Sequence, residues 1–315
     1  MIGLTGATGF LGTSLLKNLD GKFIKAFGRS IPTTLDDGDF YGGSINKETN
    51  FSHFLKGINV CIHCAARTHV MHDKSLNPLE DFREVNTCGT LNLANQAAKA
   101  GVKRFIFISS IKVNGESTEL HHPFCSSDTY IPRDPYGLSK YEAEVGLKKI
   151  SKETGMEVVI IRPPLVYGPG VKANFFSMMN LMSKGLPLPL GGITKNQRSL
   201  VYIENLVDLI ITCIDHPKAA NKTFLVSDDH DVSTTELLST IASKLKVPNR
   251  LIPLPSSWLN FMAKLVGKSD VAQRLCGSLQ VDIEETKSTL DWKPPFTFDE
   301  GIQLTAKAYL NKNLK

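Results

Sequence analysis

Short apolar runs alternate with amphipathic stretches through the first half of the chain. Two stripes at helical spacing follow Leu11–Leu15–Leu19 and the longer series from Leu79 to Ala100 that includes Asn86. Several of the apolar runs lack alternation, which is typical of parallel strands covered on both faces. The predicted strands are Met1–Thr5, Phe23–Phe27, Val60–Cys64, Arg104–Ser109 and Glu157–Arg162. This order predicts an α/β fold with a doubly wound parallel sheet, whose ligands bind at the carboxyl ends of the strands.

The amino-acid composition changes after Arg162, where proline and glycine become frequent. Such a composition favours loops and short elements. We therefore predict a main domain at 1–165, to which 199–228 returns, and a smaller C-terminal lobe made of 166–198 and 229–315.

Composition and charge argue against a nucleic-acid-binding, a membrane-spanning or a metal-binding protein. The 315 residues include 36 basic and 31 acidic side chains, and the formal net charge is +5. No basic block interleaved with aromatic residues is present, so we expect no nucleic-acid partner. No apolar run approaches the roughly 18–20 residues of a membrane span, and we expect no targeting segment before the first strand. Six scattered cysteines favour a reducing cytoplasm, and Cys61-x-x-Cys64 has no second ligand pair, so no metal site is expected.

The first candidate site is the glycine loop Gly6-Ala-Thr-Gly9-Phe-Leu-Gly12, which follows the first strand. In a strand–turn–helix unit, three glycines at this spacing allow a tight turn, close approach of a pyrophosphate, and close packing of helix on strand. The free N–H groups of the helix N-terminus favour phosphate there. The pattern predicts a Rossmann-like domain that binds NAD or NADP.

The end of the second strand bears on the choice of dinucleotide. An acidic residue at this point would bind the ribose hydroxyl of NAD, whereas an arginine accommodates the 2′-phosphate of NADP. Arg29 and Ser30 stand there, and the next acidic residue is Asp36. We therefore expect a preference for NADP, with an ordinary exposed arginine as the alternative interpretation.

A second candidate site is Tyr136-Gly-Leu-Ser-Lys140, near the start of a helix predicted to begin after Asp134 and to stop at Gly155. Tyr136 and Lys140 lie one turn apart on the inward face. A neighbouring cation favours phenolate, so we expect a lowered pKa for Tyr136 and a role as general acid and base. The Ser110 hydroxyl, just past the fourth predicted strand, is placed to hold the substrate oxygen. An ordinary amphipathic helix face is the alternative.

Together these motifs resemble the extended short-chain dehydrogenase/reductase superfamily, in its NAD-dependent epimerase/dehydratase branch. The resemblance includes the glycine loop, Ile62-His-Cys-Ala-Ala66, Asn86-Thr-Cys-Gly-Thr90 and Tyr136-Gly-Leu-Ser-Lys140. It continues through Arg162-Pro-Pro-Leu-Val-Tyr-Gly-Pro-Gly170 to Leu290-Asp-Trp-Lys-Pro294. It therefore covers nearly the whole chain.

The resemblance implies roles for individual residues. Ser110, Tyr136 and Lys140 match a catalytic triad. A UDP-sugar would contact Ser110, Asn174, Arg198 and, less specifically, Arg274, in a nucleotide-sugar-binding lobe. A hydrogen-bonded core position is the alternative for Asn86, and a homodimer through the helices near Asn86 and Tyr136 is implied. The cofactor contacts would be Gly6, Thr8, Gly9, Phe10, Leu11, Gly12, Arg29, Ser30, Ala65, Asn86, Tyr136, Lys140 and Pro163.

Three functions remain open. We favour NADPH-dependent reduction of a UDP-4-keto-6-deoxy-N-acetylhexosamine, because Arg29 favours NADP and segments around Ser110 and 274–282 resemble bacterial reductases that form UDP-N-acetylquinovosamine for surface polysaccharide. The alternative is a UDP-glucose or UDP-N-acetylglucosamine 4-epimerase, which would use the same residues. A non-catalytic dinucleotide-binding regulator is disfavoured because both Tyr136 and Lys140 are present. A 4,6-dehydratase is disfavoured because Ile111-Lys112 occupies the position of that family's acidic pair.

Overall fold

A parallel sheet of seven strands forms the centre of the molecule. The computed structural model describes residues 1–19, 22–33, 35, 37–68, 77–265, 267 and 269–313. Its strands are β1 (Ile2–Thr5), β2 (Ile24–Gly28), β3 (Phe40–Gly42), β4 (Val60–His63), β5 (Arg104–Ile108), β6 (Glu157–Arg162), β7 (Leu165–Tyr167), β8 (Leu200–Tyr202) and β9 (Thr223–Leu225). The sheet has the order β3-β2-β1-β4-β5-β6-β9, and every neighbouring pair is parallel.

Helices cover both faces of this sheet, and further helices pack in the C-terminal half. They are α1 (Phe10–Asn18), α2 (Ser52–Leu55), α3 (Pro78–Phe82), α4 (Thr90–Lys99), α5 (Pro135–Thr154), α6 (Ala173–Ser183), α7 (Ile203–Asp215), α8 (Thr234–Leu245), α9 (Ser256–Leu265), α10 (Ser269–Cys276), α11 (Glu284–Leu290) and α12 (Phe298–Asn313). Short 3₁₀ turns lie at Asp37–Asp39, Ile111–Val113 and Pro217–Ala219. Among the described helices, none is long and apolar enough to cross a bilayer.

The sheet buries two separate apolar layers because successive side chains point to opposite faces. Ile106 and Ile108 of β5 enter the cluster that contains residues of α1 and α7, whereas Phe105 and Phe107 enter the cluster beneath α4 and α5. All of β5 is buried. This two-sided burial confirms the predicted Rossmann-like α/β fold and explains the lack of alternation in the sequence.

The helix that carries Tyr136 begins and ends as predicted. The Asp134 side chain accepts a hydrogen bond from the Gly137 N–H at 3.0 Å, and Pro135 occupies the first helical position. At the other end Gly155 has φ 75°, the left-handed conformation in which glycine commonly ends a helix.

The long stripe from Leu79 to Ala100 is not one regular helix. A π-helical segment, Arg83–Gly89, joins α3 to α4 and contains Asn86. Such bulges insert an extra residue into the helical turn and frequently occur at functional sites. The apolar stripe predicts the helical path but not this change of pitch.

The C-terminal half adds a third apolar cluster. It contains residues of α6, α8 and α12 together with Tyr167 and Tyr202 of the two-stranded sheet β7–β8. Within the predicted smaller lobe, 166–198 holds an eleven-residue helix, α6, besides the expected loops. Strand β9 lies at the edge of the main sheet beside β6. The division into two domains at 165, 199 and 228 stays a prediction.

Candidate active site

The glycine loop closes tightly against the neighbouring strand. Gly6 has φ +73°, and a side chain on it would stand 2.7 Å from the Ala65 nitrogen. A side chain at Gly12 would stand 2.1 Å from the Gly6 oxygen, so only glycine allows this packing of α1 on the loop. Thr8 and Gly9 are exposed at the tip of the loop.

The first turn of α1 has no side-chain cap. Gly9 precedes the helix in an extended conformation. Phe10 and Leu11 begin the helix and pack against the third apolar cluster. The N–H groups of this turn and the positive end of the helix dipole suit a pyrophosphate, so the loop fits the predicted dinucleotide.

The ends of strands β1, β2 and β4 bring further predicted cofactor residues to this edge. Thr5 pairs in register with Phe27 on one side and His63 on the other, so the segments that follow these strands emerge together. Arg29 and Ser30 follow β2 and are exposed. The Ala65 N–H donates to Thr5 Oγ1 at 3.3 Å, which fixes the segment after β4 beside Gly6.

Ser110 and Tyr136 meet at the carboxyl end of β5, where a hydrogen bond joins their side chains. Ser110 caps the 3₁₀ turn Ile111–Val113, and its Oγ accepts from the Lys112 N–H at 3.3 Å. Buried Pro163, just past β6, accepts from the Ile111 N–H at 3.0 Å. These bonds hold the Ser110 hydroxyl against the phenol.

The predicted lowering of the Tyr136 pKa is wrong for the cofactor-free chain. Burial raises the pKa of Tyr136 to about 12, the charge of Asp134 adds to this, and the hydrogen bond with Ser110 opposes it. The Lys140 Nζ lies 4.0 Å from the ring centre of Phe107, so its charge is directed at an aromatic face of β5. Spacing along a helix places two residues on one face but does not fix where a long side chain ends.

Lys140 itself is almost completely buried. Removal from water lowers the pKa of Lys140 to about 7, while the nearby charge of Glu144 favours the protonated form. The ring of Phe107 stabilises the ammonium by a cation–π contact. The position of its pKa makes Lys140 a group that can change protonation near neutral pH.

Glu144, one helical turn after Lys140, forms a buried ion pair with Arg162 that the sequence analysis did not predict. Glu144 accepts from the Arg162 Nη2 at 2.6 Å and from its Nε at 3.0 Å. The Ser109 hydroxyl donates to Glu144 at 2.5 Å. The sequence does place a carboxylate on the inward face of the helix, eight residues after Tyr136. Because a buried charge requires a partner, this position could have predicted an ion pair. Glu144 thus connects α5 to the ends of both β5 and β6.

Asn86 has a packed position in the π-helical segment. Its Oδ1 accepts from the Arg67 N–H at 2.8 Å, while its Nδ2 donates to the Arg67 oxygen at 2.9 Å and to Ser139 Oγ at 3.1 Å. Thr87 Oγ1 donates to the Ser139 carbonyl at 2.8 Å. This is the geometry of the hydrogen-bonded core asparagine, and it attaches α5 to the segment after β4.

His63, the last residue of β4, contacts both β1 and α4 through its ring nitrogens. Its Nδ1 lies 2.6 Å from Thr5 Oγ1 and its Nε2 lies 2.9 Å from Thr90 Oγ1. Burial and then the charge of Lys140 lower the pKa of His63 to about 3, so the ring is neutral. His63 therefore ties β1, β4 and α4 together.

The predicted substrate arginines are close to each other. Arg198 Nη1 donates to the Arg274 carbonyl at 2.7 Å and to the Gly277 carbonyl at 3.1 Å, near the end of α10. Burial lowers the pKa of Arg198. The Arg274 side chain is exposed, and the side chain of Asn174, in the first turn of α6, is outside the described part of the structure.

A pairing of backbone segments connects Arg198 to the Ser110 side of the site. Arg198 bridges to Leu279, while Thr118 bridges to Ser278 and Phe124 to Val281. The segment 278–281 therefore lies between the arginine and the loop that follows Ser110. The structure brings Ser110 and Tyr136 together, and it places Lys140 one turn further along α5 with its Nζ over Phe107. The segment 278–281 connects the Arg198 region to the loop that follows Ser110.

Comparison with known proteins agrees with this geometry. Residues 2–227 match the model of the NAD dependent epimerase/dehydratase family. The chain is 57% identical over 313 residues to a UDP-glucose 4-epimerase of Vibrio cholerae, covering 98% of this chain and 95% of that protein. It is 27% identical to the N-acetyl-alpha-D-glucosaminyl-diphospho-ditrans,octacis-undecaprenol 4-epimerase of Escherichia coli O157:H7, covering 96% and 93%.

Solved structures share the fold. The UDP-glucose 4-epimerase of Thermotoga maritima with UDP-glucose superposes with a TM-score of 0.78 at 21% identity, covering 100% of this chain and 99% of that one. The UDP-glucuronic acid 4-epimerase of Bacillus cereus, in complex with NAD, gives 0.77 at 20% identity, with the same coverage. The NADP preference inferred from Arg29 finds no support among these proteins. The family model matches well over half of the chain, and this chain belongs to the NAD-dependent epimerase/dehydratase family.

Proposed function

We propose that this protein is a UDP-hexose 4-epimerase that uses NAD, with UDP-glucose and its C4 epimer as the substrate pair. The observation that carries the proposal is the 57% identity, over 98% of the chain, to the Vibrio cholerae UDP-glucose 4-epimerase. The Escherichia coli relative is also named a 4-epimerase, although of a different sugar carrier. Inversion at C4 is the chemistry common to both names.

The chain's own residues suit this reaction. Bound NAD supplies a reversible hydride acceptor for C4 of the sugar. Tyr136, hydrogen-bonded to Ser110, is assigned to take the proton from O4 and to return it after inversion. Ser110 is assigned to hold O4. Buried Lys140 is assigned to favour phenolate once the site is filled, because a protonated lysine one helical turn from Tyr136 stabilises the anion.

The choice of cofactor follows from the reaction. An epimerase recovers its NAD in every turnover and has no need to select NADP, whereas a reductase consumes its cofactor. Arg29, which favoured NADPH and reduction, is an exposed side chain after β2. We therefore give Arg29 no selective role and place reduction of a 4-keto sugar second.

The remaining assignments extend the same proposal. Arg198 and Arg274 are assigned to the diphosphate of the UDP-sugar, with Arg198 using those N–H groups that do not bind the α10 carbonyls. The undecaprenol-linked substrate in the name of the Escherichia coli relative supports a place in polysaccharide-precursor synthesis. A cytoplasmic homodimer is the expected form.

The test is direct. Purified protein with added NAD and UDP-glucose should form UDP-galactose, detected by chromatography, with no net NADH. A parallel reaction should supply UDP-2-acetamido-4-keto-2,6-dideoxyhexose and NADPH, with loss of NADPH absorbance as the readout. Oxidation of NADPH without any interconversion of UDP-glucose, or of UDP-N-acetylglucosamine, would replace the epimerase proposal by the reductase.

A further inference from the structure

Helix α9 presents an apolar face to solvent. Trp258, Phe261 and Met262 are 64%, 62% and 55% exposed. Their spacing of three and four residues places them on one side of the helix. Single exposed apolar residues are ordinary, but three large ones on one face mark an interaction surface. We call these three residues the α9 face.

The segment that contains the α9 face also carries the positive charge of the protein. Between Glu236 and Asp282 the sequence has six basic residues and one acidic residue, whereas the other 270 residues have thirty of each. The whole formal charge of +5 therefore belongs to these 45 residues. Of the basic side chains that the structure describes in this segment, those of Lys246, Arg250, Lys264 and Arg274 are exposed.

A second group of exposed apolar side chains lies beside Arg250. Ile252 lies two residues further along the loop that leads to α9. Its N–H donates to the Leu188 carbonyl at 2.7 Å, and the Leu188 N–H donates to the Arg250 carbonyl at 3.0 Å, so this loop is held against the segment that contains Leu186. Both Leu186 and Ile252 are exposed. Exposed apolar and basic side chains therefore occur together in the loop before α9 as well as on the helix.

We propose that the α9 face binds an anionic lipid surface, with its apolar side chains in the headgroup boundary and Lys246, Arg250 and Lys264 against lipid phosphates. Helices that lie in a membrane interface combine Trp, Phe or Leu on one face with basic residues beside it. Tryptophan suits that boundary because its ring is apolar while its N–H can bond to water. Ten residues of helix extend only about 15 Å, so α9 lies on the bilayer instead of crossing it.

A second copy of the chain is a poorer occupant. A two-fold symmetric contact puts the same patch on both subunits. Such a contact would bring two copies of the same positively charged segment together, and like charges in contact oppose association. An anionic surface complements the apolar face and the charge together.

Vesicle binding tests the proposal without any turnover, so its outcome is independent of the proposed epimerase activity. The wild-type protein should sediment with vesicles of phosphatidylcholine and phosphatidylglycerol but not with phosphatidylcholine alone. Trp258→Ser with Phe261→Ser should weaken binding by about tenfold or more. Arg250→Glu with Lys264→Glu should weaken it by about tenfold. Both double variants should keep the wild-type rate on UDP-glucose.

Two controls separate this surface from general stickiness. Phe23→Ser removes an aromatic side chain that is 82% exposed just before β2, outside the segment of the α9 face, and should leave vesicle binding unchanged. Trp292 is buried with its Nε1 on Asp208, so a vesicle-induced fluorescence shift reports Trp258. Trp258→Phe should abolish that shift and keep most of the binding.

Three results would overturn the proposal. One is absence of sedimentation with anionic vesicles. Another is binding that survives the Trp258→Ser, Phe261→Ser double variant. The third is a wild-type dimer that this variant converts to monomer in light scattering, with no lipid binding by either protein, which would make the α9 face a contact between copies.

Discussion

The carboxylate of Glu144 binds the guanidinium of Arg162 in the interior, one helical turn after Lys140. The two hydrogen bonds measure 2.6 and 3.0 Å, and both side chains are buried. Glu144 also accepts a hydrogen bond from the hydroxyl of Ser109, the residue before Ser110. One carboxylate therefore fixes the helix of Tyr136 and Lys140 relative to the strand end that presents Ser110.

Glu144→Gln should be strongly destabilising. Removing one partner of a buried ion pair leaves the other charge uncompensated, and such changes cost about 3–5 kcal/mol. Urea unfolding measures the loss. The matched control is Glu142→Gln on the same helix, whose pair with Arg83 is partly exposed, so its loss should be at most about 1 kcal/mol.

A second variant separates positioning from stability. Glu144→Leu with Arg162→Met replaces the pair by apolar groups, and such replacement is often neutral for folding. We expect stability near that of the wild type but a reduced kcat, since Ser109 and Lys140 both lose the carboxylate. If kcat recovers together with stability, Glu144 has only a structural role.

Tyr136→Phe should abolish turnover while leaving the fold and NAD binding intact. Loss of a general acid and base lowers rates by about a hundredfold to ten-thousandfold. The measurements are kcat for UDP-glucose and the affinity for NAD. Tyr141→Phe, in the same helix, is the control and should keep full activity. A Tyr136→Phe enzyme that turns over at the wild-type rate would remove the phenol from the mechanism.

Much of the fold could be predicted from the sequence because its determinants are local. Asp134, Pro135 and Gly155 mark the two ends of α5 through capping and a left-handed residue, and the helix has those bounds. The β5 run is also a local signal, because its lack of alternation predicts a strand covered on both faces, and all of β5 is buried. The π-helical turn around Asn86 could not be predicted, because it depends on packing against Ser139 across 53 residues of sequence.

Sequence spacing predicts which residues share the inward face of α5, but it does not predict their electrostatics. Tyr136 and Lys140 share a face by spacing alone, whereas the position of Lys140 over Phe107 depends on a contact between α5 and β5. Burial then dominates the pKa of the phenol. The spacing also places Glu144 on the inward face of α5. Its partner could not be predicted, because Arg162 lies at the end of β6.

Lys140 should make the stability of the cofactor-free protein rise with pH above neutrality. Burial lowers its pKa to about 7, and the unfolded value is about 10.4. Between these values the unfolded chain binds a proton that the folded chain lacks, so the free energy of unfolding increases by about 1.4 kcal/mol per pH unit. The destabilising effect is complete below pH 7 and is relieved as pH rises towards 10.4.

Lys140→Met isolates this effect. The difference in free energy of unfolding between variant and wild type should shrink by about 2–3 kcal/mol over two pH units above about 7.5. Urea unfolding at the two pH values measures it. Lys148→Met, which changes an exposed lysine of the same helix, should show no such change. A pH-independent difference for Lys140→Met would mean that the lysine keeps an ordinary pKa.

Gly12→Ala should disrupt the dinucleotide loop. The added carbon would stand 2.1 Å from the Gly6 oxygen and 2.8 Å from the Ala7 Cα, both on the backbone, so the loop and α1 must separate. Overpacking of this kind costs about 1–3 kcal/mol, and the displaced N–H groups no longer surround a pyrophosphate. The measurements are thermal unfolding and NAD affinity.

Gly42→Ala is the control for that change. Its added carbon would stand 3.8 Å from a ring carbon of Phe40, an ordinary contact, at a strand on the edge of the same sheet. We expect stability and NAD affinity close to those of the wild type. NAD affinity in Gly12→Ala equal to that in Gly42→Ala would contradict the assignment, because the close approach of α1 to the loop is what directs the free N–H groups at the cofactor.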